Sequence, residues 1–173
     1  MKKEIWSRDE IEVEVSGFFT THHLLQTEAG TLGELTFPAF GQSATYRTTG
    51  GRELLMQKTH WLGTSFELVE GGVVRGNGVR PGLFRRDIVL EVDGQEYSLE
   101  PEGILSQGWR LFDARGQQLL ELQPRGVFRQ GAYLTVTGAV DGDLVAFTYY
   151  LVHMRQQEDS AGAVAATSVA ATS

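Results

Sequence analysis

The chain has 173 residues, of which 41% are hydrophobic and 21% charged, and these values suit one folded domain and exclude a disordered chain. Its net charge of −7 excludes a general attraction to nucleic acid or to an anionic membrane, although a local basic patch stays open. The lack of cysteine excludes a disulfide scaffold, a thiolate nucleophile and a cysteine-ligated metal. Residues 1–10 lack the apolar run of a signal peptide, and the most apolar stretch, residues 144–154, is about half of the ~20 residues that a membrane-spanning helix needs. We therefore expect a cytoplasmic protein without a membrane span.

Alternation of polar and apolar residues predicts short strands along most of the chain. Residues 10–15 alternate glutamate with isoleucine or valine, which is the period of a strand that has one wet face. Segments of the same kind follow at 31–37, 42–48 and 62–68, with proline and glycine between them. These patterns predict a mostly β protein.

The turn residues predict antiparallel hairpins. Asp93 and Gly94 separate the alternating runs 88–92 and 97–99, and Asp-Gly favours a two-residue turn in which both positions have positive φ. Turn signals of this kind recur about every ten residues, which is typical of a sandwich or a barrel. The sequence also contains one internal echo, Gly-aliphatic-Phe-Arg, within residues 81–85 and 125–129. It favours two related β-meander units.

The end of the chain changes character. Residues 144–154 are apolar on every side, Asp143 could cap the start of a helix and Arg155 suits its end. β-Branched and aromatic residues also suit a strand, so both structures fit the composition of this run. We adopt a buried helix of about residues 143–155, because eleven residues without alternation and with a polar stop are typical of a helix enclosed by protein. The low-complexity residues 159–173 are expected to form a disordered tail after a single domain of residues 1–158.

Many short strands followed by one wholly apolar helix resemble the tubby C-terminal-like group, which includes phospholipid scramblases and the plant LURP-one-related proteins. The resemblance rests on residues 108–116 (GWRLFDARG), 126–129 (GVFR) and 143–154, and it extends over about residues 61–154. It implies a closed antiparallel barrel of twelve strands around a hydrophobic C-terminal helix. Tubby proteins bind phosphoinositides and scramblases are associated with lipid movement. The group's lipid-contacting positions cannot be placed here by motif, and the palmitoylated cysteines of scramblases have no counterpart.

No motif in the chain predicts catalysis, a metal or a cofactor. The adjacent His22 and His23 would point to opposite faces of a strand and could not share a metal, and His153 is expected at the edge of the core. The sequence has no Gly-x-Ser-x-Gly. The glycines of residues 71–78 are interpreted as turns between strands, since no helical pattern follows them. We expect a protein that is not an enzyme.

Arginines form the most informative cluster. Their planar guanidinium groups suit two-pronged binding of phosphate or carboxylate, although charge at strand edges also simply discourages aggregation. The candidate ligand-binding residues are Arg75, Arg80, Arg85, Arg86, Arg125 and Arg129.

The preferred interpretation is a non-enzymatic cytoplasmic binding module for an anionic phospholipid headgroup or a phosphorylated ligand. The alternative is a protein–protein interaction or structural scaffold without a small ligand, which would use an apolar patch or a free strand edge. A small hydrolase on another β fold is the third possibility.

Overall fold

The computed structural model describes residues 5–6, 9–60, 63–82, 86–103, 106–126 and 130–170, with the backbone alone for 5–6 and 162–170. It contains fourteen strands and one helix, numbered here in chain order. They are β1 (Ile5–Trp6), β2 (Glu10–Ser16), β3 (Thr21–Thr27), β4 (Gly30–Phe37), β5 (Ser43–Thr48), β6 (Glu53–Lys58), β7 (Ser65–Glu70), β8 (Val73–Val79), β9 (Ile88–Val92), β10 (Gln95–Pro101), β11 (Trp109–Asp113), β12 (Gln118–Pro124), β13 (Gly131–Val136), β14 (Val140–Asp141) and α1 (Gly142–Ala170).

Strands β2 to β13 form a closed antiparallel barrel in which each strand pairs with the next along the chain. The barrel closes where β13 pairs with β2, with Gly131 opposite Glu14 and Thr135 opposite Glu10. The two short strands β1 and β14 pair with each other outside the barrel sheet. The predicted fold class, a closed antiparallel barrel with a hydrophobic C-terminal helix, is confirmed.

Side-chain alternation gives the barrel its apolar interior. In β9, Ile88, Leu90 and Val92 are buried while Val89 and Glu91 are exposed, as a strand with one face toward the core requires. The turn after β9 has positive φ at both central residues, 52° at Asp93 and 76° at Gly94, as the Asp-Gly signal predicted. Local sequence and tertiary burial therefore specify the same register here.

Helix α1 fills the inside of the barrel. The side chains of residues 144–152 are all buried, and Phe147 and Tyr150 are 0% exposed with their rings stacked at a centroid distance of 6.2 Å. Strands surround this segment on every side, so it needs no polar face. The choice of helix over strand is confirmed.

Both ends of α1 differ from the expectation. The backbone N–H of Leu144 donates to Oδ1 of Asp141 at 2.9 Å, so Asp141 and not Asp143 caps the helix. The helix also continues to Ala170, beyond the expected end near residue 155 and into the segment expected to be a disordered tail. Residues 161–170 include five alanines, and alanine has the highest helix propensity, so low complexity does not prevent a helix there. The domain boundary at residue 158 stays a prediction.

The two ends of the barrel differ in their connections. Because consecutive strands are antiparallel, the connections alternate between the ends. One end, called the short-turn end, has the connections 28–29, 49–52, 71–72, 93–94 and 114–117. The other, called the long-loop end, has the connections 17–20, 38–42, 59–64, 80–87, 102–108 and 125–130. The two copies of the Gly-aliphatic-Phe-Arg echo lie mostly outside the described residues. They belong to the long-loop connections 80–87 and 125–130, which are separated by the four strands β9 to β12.

Within the ranges described, no helix combines the length and the apolar character that a membrane crossing requires.

An ion cluster holds α1 at the short-turn end. Arg52 donates to Glu70 at 2.8 Å and to Asp143 at 3.0 Å, and the Asp143 side chain is only 5% exposed. Arg75 pairs with the same two carboxylates and with Asp93. The Arg52 guanidinium, through its hydrogen bond, lowers the pKa of Glu70 to about 2. The cluster therefore joins the first turn of the helix to strands β7 and β8 and to the connections 49–52 and 93–94.

Replacing Arg52 with glutamine is expected to lower the free energy of unfolding by about 2 kcal/mol, because Asp143 and Glu70 each lose a charged donor. Chemical denaturation followed by circular dichroism measures this change. Arg47→Gln is the matched control, since the Arg47 side chain is 69% exposed on the outer wall, where it pairs with Glu53. It is expected to change stability by less than about 0.5 kcal/mol. Equal effects of the two substitutions would contradict the role of the cluster.

Candidate functional site

A cavity of about 860 Å³ lies at the long-loop end, where α1 leaves the barrel. Its wall combines strand β3, three long-loop connections and the end of the buried part of α1. The charged and amide side chains that line it are two cations, one acid and four amides: Arg86, Arg155, Asp159, Gln107, Gln130, Gln156 and Gln157. A partly enclosed site with several hydrogen-bond donors therefore exists at this end.

Two histidines and a tyrosine pack together in the wall of the cavity. The Nδ1 of His23 lies 2.7 Å from the hydroxyl of Tyr149, and its Nε2 lies 3.1 Å from the hydroxyl of Thr21. The rings of His23 and His153 are 4.9 Å apart at their centroids, nearly perpendicular to each other. The amide nitrogen of Gln157 donates to Nε2 of His153 at 3.0 Å. The group is thereby fixed in place by partners from β3 and α1.

Burial keeps this group uncharged at neutral pH. Desolvation, followed by the nearby His153 and His22, lowers the pKa of His23 to about 3. Desolvation also lowers the pKa of His153 to about 4 and raises the pKa of Tyr149 well above its ordinary value. The positive charge of the cavity therefore comes from its arginines.

Arg155 brings one of these charges from α1. Its guanidinium lies 3.1 Å from Asp159 and 3.7 Å from Glu158. Its Nε is buried and, among the described residues, has no hydrogen-bond partner. A buried donor without an acceptor is costly, so an acceptor supplied by a ligand would be stabilising at this position.

Arg86 brings the second charge from the connection between β8 and β9. It donates to the backbone carbonyl of Gly103 at 3.3 Å and so joins two long-loop connections. A guanidinium has five N–H donors in a planar fork, a geometry that suits the binding of an anion. Arg86 and Arg155 reach the cavity from elements that lie about seventy residues apart in the sequence.

The structure does not place the predicted arginines in one cluster. Arg75 belongs to the ion cluster at the short-turn end, whereas Arg80 pairs with Glu158 at 3.0 Å at the long-loop end. Their partners on α1, residues 143 and 158, are separated by roughly 22 Å of helix.

The remaining predicted arginines are likewise not gathered at one site. Arg86 alone of the described candidates lines the cavity. Arg125 pairs with Glu12 and lies over the ring of Tyr133 at 4.8 Å. Arg85 and Arg129 lie outside the described residues. A ligand-binding role of these six residues stays a prediction.

Sequence reasoning missed Arg155, Tyr149 and the amides as site residues. One signal was available, since Tyr149, His153 and Gln157 follow each other at intervals of four residues and therefore lie on one side of α1. The expected opposite orientation of the histidine pair is confirmed, because His23 is buried while His22 is half-exposed and bonds to Glu34. His153 also takes the expected position at the edge of the core. In the part of the chain described, no three histidine or acidic side chains converge as metal ligands do.

The fold is similar to that of a solved plant protein. The X-ray structure of AT5G01750 from Arabidopsis thaliana matches with a TM-score of 0.58 at 9% sequence identity, over 85% of this chain and 91% of that one. At such low identity the likeness shows the fold alone. Neither family models nor curated proteins give a match to the chain.

Proposed function

We propose that this chain is a non-enzymatic, cytoplasmic binding module of the tubby-like group that takes a small anionic ligand in the cavity at the long-loop end. The ligand class is an anionic phospholipid headgroup or another phosphorylated molecule. The observation that carries the proposal is the presence of two guanidinium groups, those of Arg86 and Arg155, in the lining of one partly enclosed cavity.

The size and lining of the cavity support this ligand class. Small-molecule sites commonly have volumes of about 300–1,000 Å³ and a few well-placed polar groups. Guanidinium groups bind phosphate oxygens with two parallel hydrogen bonds, and glutamine amides add neutral donors that need no counter-charge. A ligand oxygen near Nε of Arg155 would also satisfy a donor that is buried without a partner among the described residues.

The lowered pKa values of the two histidines favour a binding site over a site for proton transfer. A general base works best when its pKa lies near the working pH, and burial holds the pKa values of His23 and His153 at about 3 and 4. Both rings already have hydrogen-bond partners, Tyr149 for His23 and Gln157 for His153. In this proposal they shape the inner wall of the cavity.

The group assignment rests on architecture. A closed barrel of twelve strands around one buried C-terminal helix is what the resemblance to the tubby-like group implied. The alternative function, an interaction scaffold, would use a free strand edge or an exposed apolar patch. Closure of the barrel removes free edges from the twelve-stranded sheet, which leaves the two-residue strands β1 and β14 outside it.

The experiment is isothermal titration calorimetry with inorganic phosphate and with glycerol 3-phosphate, at low and at physiological salt. Wild type is expected to bind at least one of these anions, more weakly as salt rises. Arg155→Gln and Arg86→Gln are each expected to weaken binding about tenfold, since each removes a charged hydrogen bond. Arg47→Gln, on the outer wall, is expected to bind like wild type. A wild type that binds neither anion, or cavity variants that bind as well as Arg47→Gln, would contradict the proposal.

A further inference from the structure

Three phenylalanines at the long-loop end are turned toward solvent. Phe18, Phe19 and Phe40 are 89%, 74% and 92% exposed, well above the exposed apolar side chains of the barrel wall. The rings of Phe18 and Phe19 contact each other edge to face at 5.2 Å. Large exposed aromatic side chains are costly in water, and their clustering marks an interaction surface.

The two connections that carry these rings are neighbours. Residues 17–20 join β2 to β3, and residues 38–42 join β4 to β5. The pairing of Thr21 with Phe37 brings the ends of these strands side by side. The three rings therefore lie at two adjacent loop tips of the same barrel end.

The connections at this end carry more positive charge than those at the short-turn end. The six long-loop connections contain five arginines and two acids, whereas the whole chain has a net charge of −7. No acid occurs in residues 17–20 or 38–42. The charged residues in these connections are Arg80, Arg85, Arg86, Arg125, Arg129, Asp87 and Glu102. A negative molecule thus carries basic connections at the end where its aromatic tips are exposed.

We propose that the long-loop end docks on a phospholipid bilayer, with Phe18, Phe19 and Phe40 inserted at the boundary between headgroups and acyl chains. Aromatic rings are favoured at this boundary, and basic residues beside them gain from anionic headgroups. A bilayer fits better than a protein groove because the three rings stand on two loop tips at an end whose connections are basic, rather than on one continuous face. The inference deepens the proposed function, on which it rests, by naming a membrane as the source of the anionic ligand.

Docking in this orientation would bring the cavity to the headgroups. Thr21 and His23, which line the cavity, directly follow the loop that carries Phe18 and Phe19. The aromatic tips would then hold the barrel on the membrane while Arg86 and Arg155 contact phosphate. Affinity for membranes would depend on the phenylalanines, and affinity for a soluble anion would depend on Arg86 and Arg155. Variants of the two sets therefore test the two affinities separately.

The test is flotation with vesicles of phosphatidylcholine alone and of phosphatidylcholine with phosphatidylserine, at two salt concentrations. Wild type is expected to float with the anionic vesicles, less so at high salt. The triple variant Phe18→Ser, Phe19→Ser, Phe40→Ser is expected to lose about tenfold or more of this binding, because the inserted apolar area is removed. The matched control is Val73→Ser with Val74→Ser, which removes two exposed apolar side chains from the short-turn end and is expected to leave binding unchanged. Circular dichroism is expected to show all three proteins equally folded.

The outcomes separate this inference from the proposed function. Loss of vesicle binding in the triple variant with unchanged glycerol 3-phosphate binding supports both. Vesicle binding that depends on the phenylalanines, in a wild type that binds no soluble anion, supports docking and overturns the proposed function. A wild type that stays free of vesicles, or a triple variant that floats like wild type, overturns docking. Concentration-dependent self-association that the triple variant abolishes, without vesicle binding, also overturns it and assigns this end to a second copy of the chain.

Discussion

Replacing Phe147 with aspartate is expected to unfold the protein at 25 °C. Phe147 is 0% exposed, lies inside the closed barrel and stacks on Tyr150. The substitution leaves a cavity and places a carboxylate where the surroundings are apolar, and the two effects together exceed about 5 kcal/mol, which is a large part of the stability of an ordinary domain. Circular dichroism and gel filtration of the purified variant measure the loss.

The same change at an exposed site is the control. Phe40→Asp alters an identical side chain that is 92% exposed, and it is expected to leave the thermal midpoint nearly unchanged. Phe147→Leu keeps the site apolar and is expected to lower stability by about 1–2 kcal/mol while the protein stays folded. A folded, monomeric Phe147→Asp protein with wild-type stability would contradict the enclosure of α1 by the barrel.

The free energy of unfolding is expected to fall by several kcal/mol as the pH is lowered from about 6.5 toward 4. In the unfolded chain both buried histidines titrate near their ordinary pKa of 6.5, whereas burial holds the folded pKa of His23 at about 3 and that of His153 at about 4. Between these values the unfolded state binds protons that the folded state does not, so stability is complete above pH 6.5 and is lost as the pH falls toward the folded pKa values. Each unit of difference is worth about 1.4 kcal/mol, so His23 contributes on the order of 5 kcal/mol over its full range.

Urea denaturation at a series of pH values between 7 and 4 measures this slope. A variant with His23→Asn and His153→Gln is expected to start from lower stability but to show a much flatter dependence over this range. His22→Gln is the matched control, because His22 neighbours His23 in sequence but is half-exposed on the outer face, and it is expected to keep the wild-type slope. Glu70, whose pKa Arg52 lowers to about 2, adds a separate loss of stability below pH 4.5 that the control and the double variant share. Equal slopes in wild type and double variant would contradict the burial of the two rings.

The two ends of the barrel differ in what they contain. At the short-turn end, tight turns and the ion cluster around Asp143 fix the start of α1. At the long-loop end, longer connections leave room for a cavity and carry the aromatic tips. The ion cluster and the core stabilise the fold, while the proposed ligand and membrane contacts are assigned to the long-loop end.

The sequence predicted the parts of the fold that depend on local patterns. Alternation in residues 10–15 marked β2, and Asp93 with Gly94 marked a turn whose positive φ values follow from the residue types. The apolar run 144–154 marked the enclosed helix because no exposed element can be apolar all round. The cap was misplaced because Asp141 and Asp143 both precede the run, and only the helix geometry distinguishes them.

The site could not be predicted because it depends on which end of the barrel each residue reaches. Arg75 and Arg80 lie five residues apart and look alike in sequence, but they stand near opposite ends of β8 and pair with opposite ends of α1. His23 and Tyr149 are 126 residues apart, and only closure of the barrel around α1 brings them together. A single sequence does not indicate such a long-range contact.

The most direct test of the cavity as a ligand site is an NMR titration of ¹⁵N-labelled protein with inorganic phosphate at low salt. Shift changes are expected to concentrate at the backbone amides of Trp109, Gly126 and Gly131, which line the cavity, and to leave Gly72 and Gly94 at the short-turn end unchanged. Shift changes centred on the short-turn end, or none at phosphate concentrations far above physiological, would contradict it.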